Sequence, residues 1–175
     1  MRNRKQFPVL LVCLLLLYFG PLSAHEIAGG KNFMCQVQPP EEFGRADDGD
    51  PVAQYNVGNM LDFCQPEDPE GAAKYFFRSA QQGEIKSTLR IGRKYMFGIG
   101  VVRDDRQAYF WLSIGKRLFG AAKNPPEELG PNLHYVEADL RLLEKSLPPE
   151  EIVEIRKRVA QWEPTPETPG RSRRP

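Results

Sequence analysis

Lys86, Arg90, Arg93 and Lys94 are separated by four, three and one residues, a spacing that sets Lys86, Arg90 and Arg93 along one stripe of a helix. Ammonium and guanidinium groups in a row hold a carboxylate or a peptide backbone; the same stripe also serves as a plain solvated face. Subtracting 34 maps Arg90 onto Asn56 and Arg93 onto Asn59, so a matching face carries two amides. Signals for bond-making chemistry are poor. His25 and His134 are the only histidines, and His25-Glu26 opens like a zinc-protease motif but has Gly29 where the second ligand belongs. As a new N-terminus, His25 could hold copper adventitiously. No Gly-x-Ser-x-Gly occurs, and the adjacent pairs Glu41-Glu42, Glu127-Glu128 and Glu150-Glu151 sit at helix starts, where negative charge favours the dipole. Gly98-Ile-Gly100 looks like a phosphate loop only superficially, because that chemistry needs a preceding strand. The sequence therefore predicts no catalytic residue, no metal site and no cofactor.

The elements that would position the stripe come in two copies. Asp50 to Gly58 recurs as Glu84 to Gly92, an offset of 34 at the glycines; Ala73, Phe76 and Ala80 recur as Ala108, Trp111 and Gly115, each 35 on. Small residues and aromatics returning in phase at that period mark stacked helix-turn-helix units. Asp50-Pro51 and Asp68-Pro69 are helix starts, a capping carboxylate followed by proline in the first turn, and Gly83 is a stop. The second unit reads as helices over 84–97 and from Asp104 to about Phe119. Residues 124–131 form a linker, and two further helices, Asn132 to Ser146 and Pro148 to Trp162, close the exposed end of the stack. The fold class is all-α: two repeats over 48–122, then a linker and closing helical pair over 123–162. Residues 25–47, with Gly29-Gly30 and Pro39-Pro40, read as an irregular arm, and 163–175, rich in proline and arginine, as a mobile tail.

Composition bounds the rest. The chain has 175 residues, 41% hydrophobic and 27% charged, enough for one small domain with a leader and a tail. Met1 to Lys5 is basic, an apolar run over 9–19 is short for a membrane span, and Ala24 follows a helix break, so 1–24 reads as a secretory signal peptide; an uncleaved anchor is the alternative. Cleavage at Ala24 removes three cations and takes the formal charge from +1 to −2, a balance that suggests neither nucleic acid nor a cationic membrane binder. Cys13 leaves with the leader. Cys35 and Cys64 are then an even pair in an oxidising compartment, favouring a disulfide over free thiols; closing 30 residues, it would contribute about 3 to 4 kcal/mol. Lipidation of Cys35 is disfavoured by the bulky Phe33-Met34 before it. Glu41 to Glu70 carries a net −8 and Gly71 to Gly120 a net +7. That polarity would steer a partner or draw the two repeats together.

Several pieces together resemble the Sel-like repeat (SLR) family, relatives of the tetratricopeptide repeat: Gly49 to Gly58; Ala80-Gln-Gln-Gly83; Tyr95-Met-Phe-Gly98-Ile-Gly100-Val101 with Asp104; Ala108-Tyr-Phe-Trp111; and the closing Leu147 to Trp162. The resemblance covers about Asp48 to Trp162. Cys64 to Asp68 departs from it in lacking the Gly-x-Gly turn, and Gly115-Lys-Arg-Leu118 replaces paired alanines. The resemblance implies a scaffold or adaptor, often exported in bacteria, whose first helices line a concave surface. On that surface Asn56, Asn59, Lys86, Arg90 and Arg93 are the expected partner-binding residues for a protein or peptide, in a periplasmic or secreted setting with no membrane span after leader cleavage. Two other readings stay open: an enzyme acting on a cell-wall or antibiotic amide, and anionic-polymer binding through Lys86, Arg90 and Arg93.

Overall fold

The computed structural model describes residues 40–64 and 66–168. Within them the chain forms seven α-helices and no strand: α1 Pro40–Asp47, α2 Pro51–Phe63, α3 Pro69–Gln81, α4 Ile85–Phe97, α5 Asp105–Ala121, α6 Leu133–Ser146 and α7 Pro149–Gln161, with a 3-10 turn over Glu127–Asn132. Helices α2 and α3 make the first repeat, α4 and α5 the second, and α6 and α7 pack on α5. This is an all-α helical-repeat stack.

A carboxylate begins each repeat helix. Asp50 accepts from the amides of Val52 and Ala53 at 2.9 and 3.1 Å, Asp68 from Gly71 at 2.8 Å, Glu84 from Ser87 at 2.5 Å, and Asp104 from Arg106 and Gln107 at 2.9 and 3.0 Å. Each satisfies amides that have no partner within the helix and places negative charge at the positive end of the dipole. The turn between α4 and α5 demands its glycines: Gly98 is left-handed at φ 68° and ends α4, and at Gly100, φ 71°, a Cβ would collide with the Pro69 carbonyl. The second repeat's turn therefore sits on the first turn of α3.

The core follows the repeat phase. Phe76 is fully buried and Trp111 is 4% exposed. Phe77, Phe110 and Trp162 all meet the Trp111 ring edge-on, at centroid distances of 5.6, 5.2 and 6.1 Å. Small residues make room for large neighbours: a Cβ at Gly58 would lie 2.8 Å from the Phe76 ring, and one at Gly92 2.8 Å from Leu112. Close helix approach at small residues is what ridge-into-groove packing requires. The repeats are also joined by polar contacts. The Ser87 hydroxyl, fully buried, lies 2.7 Å from that of Ser79, which donates to the Pro51 carbonyl at 2.6 Å.

Two expectations need correction. Residues 40–47 are helical where an irregular arm was expected: Pro40 opens α1 instead of breaking the chain, Glu41 and Glu42 occupy its first turn, and Ala46 is fully buried against Ala53 and Val57. Proline costs no hydrogen bond at a helix start, so Pro39-Pro40 was compatible with either state. Residues 163–168, expected to lie in a mobile tail, make defined contacts with the stack. They run extended from α7 back across the start of the stack, where Thr165 N–H donates to the Gln81 carbonyl at 2.8 Å and Glu167 pairs with Arg78 at 2.7 Å. The expectations for 25–39 and 169–175, the leader and Cys35 fall outside the described residues.

Candidate partner-binding groove

The stripe on α4 faces a groove of about 560 Å³. Helix α2 supplies Tyr55 and Asp62, α4 supplies Lys86, Leu89, Arg90, Arg93, Lys94 and Phe97, and the far wall is Ile99 with Leu129 and Val136. Three of the five residues expected to bind a partner, Lys86, Arg90 and Arg93, therefore line one concavity.

Their positive charge is held in place from several sides. Lys94, 5% exposed, donates to Asp62 at 2.6 Å, with its ammonium 5.8 Å from the centre of the Phe76 ring. Arg93 donates through Nε to Asp139 of α6 at 2.8 Å, which ties the groove wall to the closing pair. The Lys86 ammonium stands 5.5 Å over the Tyr55 ring and the Arg90 guanidinium 5.3 Å over Phe63, arrangements favoured by the ring quadrupole. Arg90 has no carboxylate partner among the described residues. The mouth of the groove is apolar. Phe63, Phe97 and Ile99 are 50, 59 and 49% exposed at the helix ends beside the cations.

Asn56 and Asn59 do not line this groove. Asn56 donates to Glu42 of α1 at 2.7 Å, because the helix formed where an arm was expected covers that part of α2. Among the described residues, the buried Oδ1 of Asn59 meets no hydrogen-bond donor. Sequence reasoning missed the apolar mouth, although Phe63 and Phe97 stand 34 residues apart, the repeat offset itself. It missed Asp62 and Asp139 for a different reason: neither is at helical spacing from the cation it pairs with, and only packing brings them together.

A second cavity, also about 560 Å³, lies between α5 and the closing pair. There the Tyr109 hydroxyl donates to Glu144 at 2.7 Å and accepts from Arg156 Nε at 3.0 Å, and Arg156 also reaches Glu144 at 2.7 Å. Burial, and then the Glu144 bond, pushes the phenol up; that bond, with Arg156, holds Glu144 below the usual carboxylate range. The triad fastens α5 to α6 and α7. Among the described residues, no three His, Cys, Asp or Glu side chains converge as a metal site would, and no helix is long and apolar enough to cross a membrane.

No protein-family model matches the sequence, nor does any curated protein. Among solved structures the chain is similar to a protective antigen present in uropathogenic Escherichia coli strains that displays an SLR fold, at 20% identity and a TM-score of 0.55. The match covers 85% of this chain and 28% of that one, so this chain spans less than a third of the length of the neighbour it resembles. That likeness and the helix order agree: the fold is an SLR-type helical-repeat solenoid.

Proposed function

We propose that this protein is an exported interaction module that presents the α2–α4 groove to a protein or peptide partner and performs no chemistry of its own. The observation that carries this reading is the Arg90 guanidinium, which shares the groove lining with the exposed ring of Phe97 and stands over the exposed ring of Phe63. A cation beside apolar surface suits a peptide that carries a carboxylate next to a hydrophobic side chain, and arginine and aromatics dominate binding energy when desolvated. The groove's other charges support binding over catalysis, since Lys94 and Arg93 are engaged by Asp62 and Asp139 and serve as walls. The fold favours the same reading, because stacked helical hairpins present extended concave surfaces. Export rests on the basic and apolar leader over 1–24. Within the same proposal, Cys64, which is disulfide-bonded, pairs with Cys35, the cysteine that survives leader removal.

The test is crosslinked capture with residues 25–175, comparing the wild-type sequence with an Arg90→Ala/Phe97→Ala variant. A single protein recovered by the first and lost by the second supports the adaptor. Salt-sensitive retention on a sulfated or uronic-acid resin with no protein captured would assign the cations to an anionic polymer. A variant that keeps every partner refutes the groove.

A further inference from the structure

Residues 164–167, Pro-Thr-Pro-Glu, are bound to the stack as a peptide is bound to a receptor. Both N–H groups that this segment possesses are used: Thr165 donates to the Gln81 carbonyl at 2.8 Å and Glu167 to Gln82 Oε1 at 3.1 Å. The other two residues, Pro164 and Pro166, have no N–H to satisfy, their φ is fixed by the ring, and each biases the residue before it to extended backbone. The Glu167 carboxylate is met by a fork. Arg78 Nε donates to one oxygen at 3.0 Å and Nη2 to the other at 2.7 Å, while Gln54 adds a bond at 3.0 Å. Bidentate guanidinium–carboxylate pairing brings geometric specificity as well as energy.

The side chains that meet the segment are also tied to the stack itself. Gln54 is fully buried and is aimed by the Ala46 carbonyl, to which it donates at 3.0 Å, and by Gln82, which donates to its Oε1 at 2.9 Å. Gln82 donates also to the Gly49 carbonyl at 2.9 Å, and Arg78 to the Ala46 carbonyl at 3.2 Å. Two turn glycines admit the segment: a Cβ on Gly49 would stand 3.0 Å from Glu167, and one on Gly83 3.0 Å from Pro164. None of these contacts requires the segment to be covalently joined to α7.

We propose that the cleft formed by Gln54, Arg78 and Gln82 is a recognition site for an extended Pro-x-Pro-Glu peptide, occupied in cis by residues 164–167 and open to a peptide of the same chemistry once the cis segment is released. The site is separate from the α2–α4 groove and does not depend on the function proposed for it. The linked segment competes at the high effective concentration of an intramolecular ligand, so wild type resists a free peptide.

The test titrates a labelled peptide with the sequence of residues 163–168 into the full chain bearing Glu167→Ala, whose circular dichroism is first matched to wild type. Saturable binding is expected, roughly tenfold or more tighter than to wild type, and absent when the peptide's second glutamate is replaced by alanine or when Gln82→Ala is added. Amide exchange at Thr165 should be slow in wild type and fast in the Glu167→Ala chain. No saturable binding up to millimolar peptide, equal binding of the alanine-substituted peptide, or unchanged Thr165 exchange would each overturn the proposal.

Discussion

Lys94 and Asp62 form a buried ion pair, Nζ to Oδ1 at 2.6 Å, that joins the first helix of one repeat to the first helix of the next. Their side chains are 6 and 15% exposed, so removing one partner leaves the other charge unpaired and largely shielded from water. Asp62→Ala should cost about 3 to 5 kcal/mol, whereas a Lys94→Met/Asp62→Leu double variant should recover most of that, because two apolar groups of similar size carry no desolvation penalty. Urea unfolding of the four members of the cycle measures it, and a double variant no better than Asp62→Ala would contradict the account.

Phe76→Ala and Trp111→Ala should each destabilise by about 3 to 5 kcal/mol, since both rings are buried at repeat-equivalent positions and leave cavities that rigid helices cannot close. Near-native denaturation midpoints in either variant would place the core elsewhere. Trp111→Ala should also loosen residues 163–168, because Trp162 packs on that ring.

Arg90→Ala should change stability by no more than about 1 kcal/mol, the scale of one cation–π contact, as its guanidinium stands over the Phe63 ring. A thermal melt close to wild type combined with lost partner binding is the expected pair of results. Large destabilisation would make Arg90 structural.

The Arg78 fork holds Glu167 below the usual carboxylate range, with Gln54 adding to the effect and burial opposing it. A depressed folded-state value means that the stabilisation from Glu167 is complete above the ordinary glutamate range and is lost as the pH falls through that depressed value. Arg78, with Asp47 4.0 Å from its guanidinium, stays charged throughout. Stability measured against pH should therefore fall less steeply on the acid side for Glu167→Gln than for wild type. Parallel curves would show that other carboxylates, such as Asp50 and Glu144, account for the acid limb.

The sequence by itself determined what is local and periodic. Capping carboxylates at Asp50, Asp68, Glu84 and Asp104, the glycine turn at Gly98 and Gly100, and the 34–35-residue return of small residues and aromatics are written in short range, so the repeat hairpins and the cationic stripe on α4 were legible. What the stripe faces was not. The ammonium of Lys94 meets Asp62 from 32 residues away, Arg93 meets Asp139 from 46, and Glu167 meets Arg78 from 89. Tertiary packing chose those partners, because any of several carboxylates has the right charge and only the fold decides which one lies within hydrogen-bond reach. The same holds for Asn56, whose place in the repeat pointed to the groove until α1 covered it with Glu42. A proline that starts a helix and a proline-rich segment that lies bound read locally as breakers; burial of Ala46 and the fork on Glu167 gave both of them their structure.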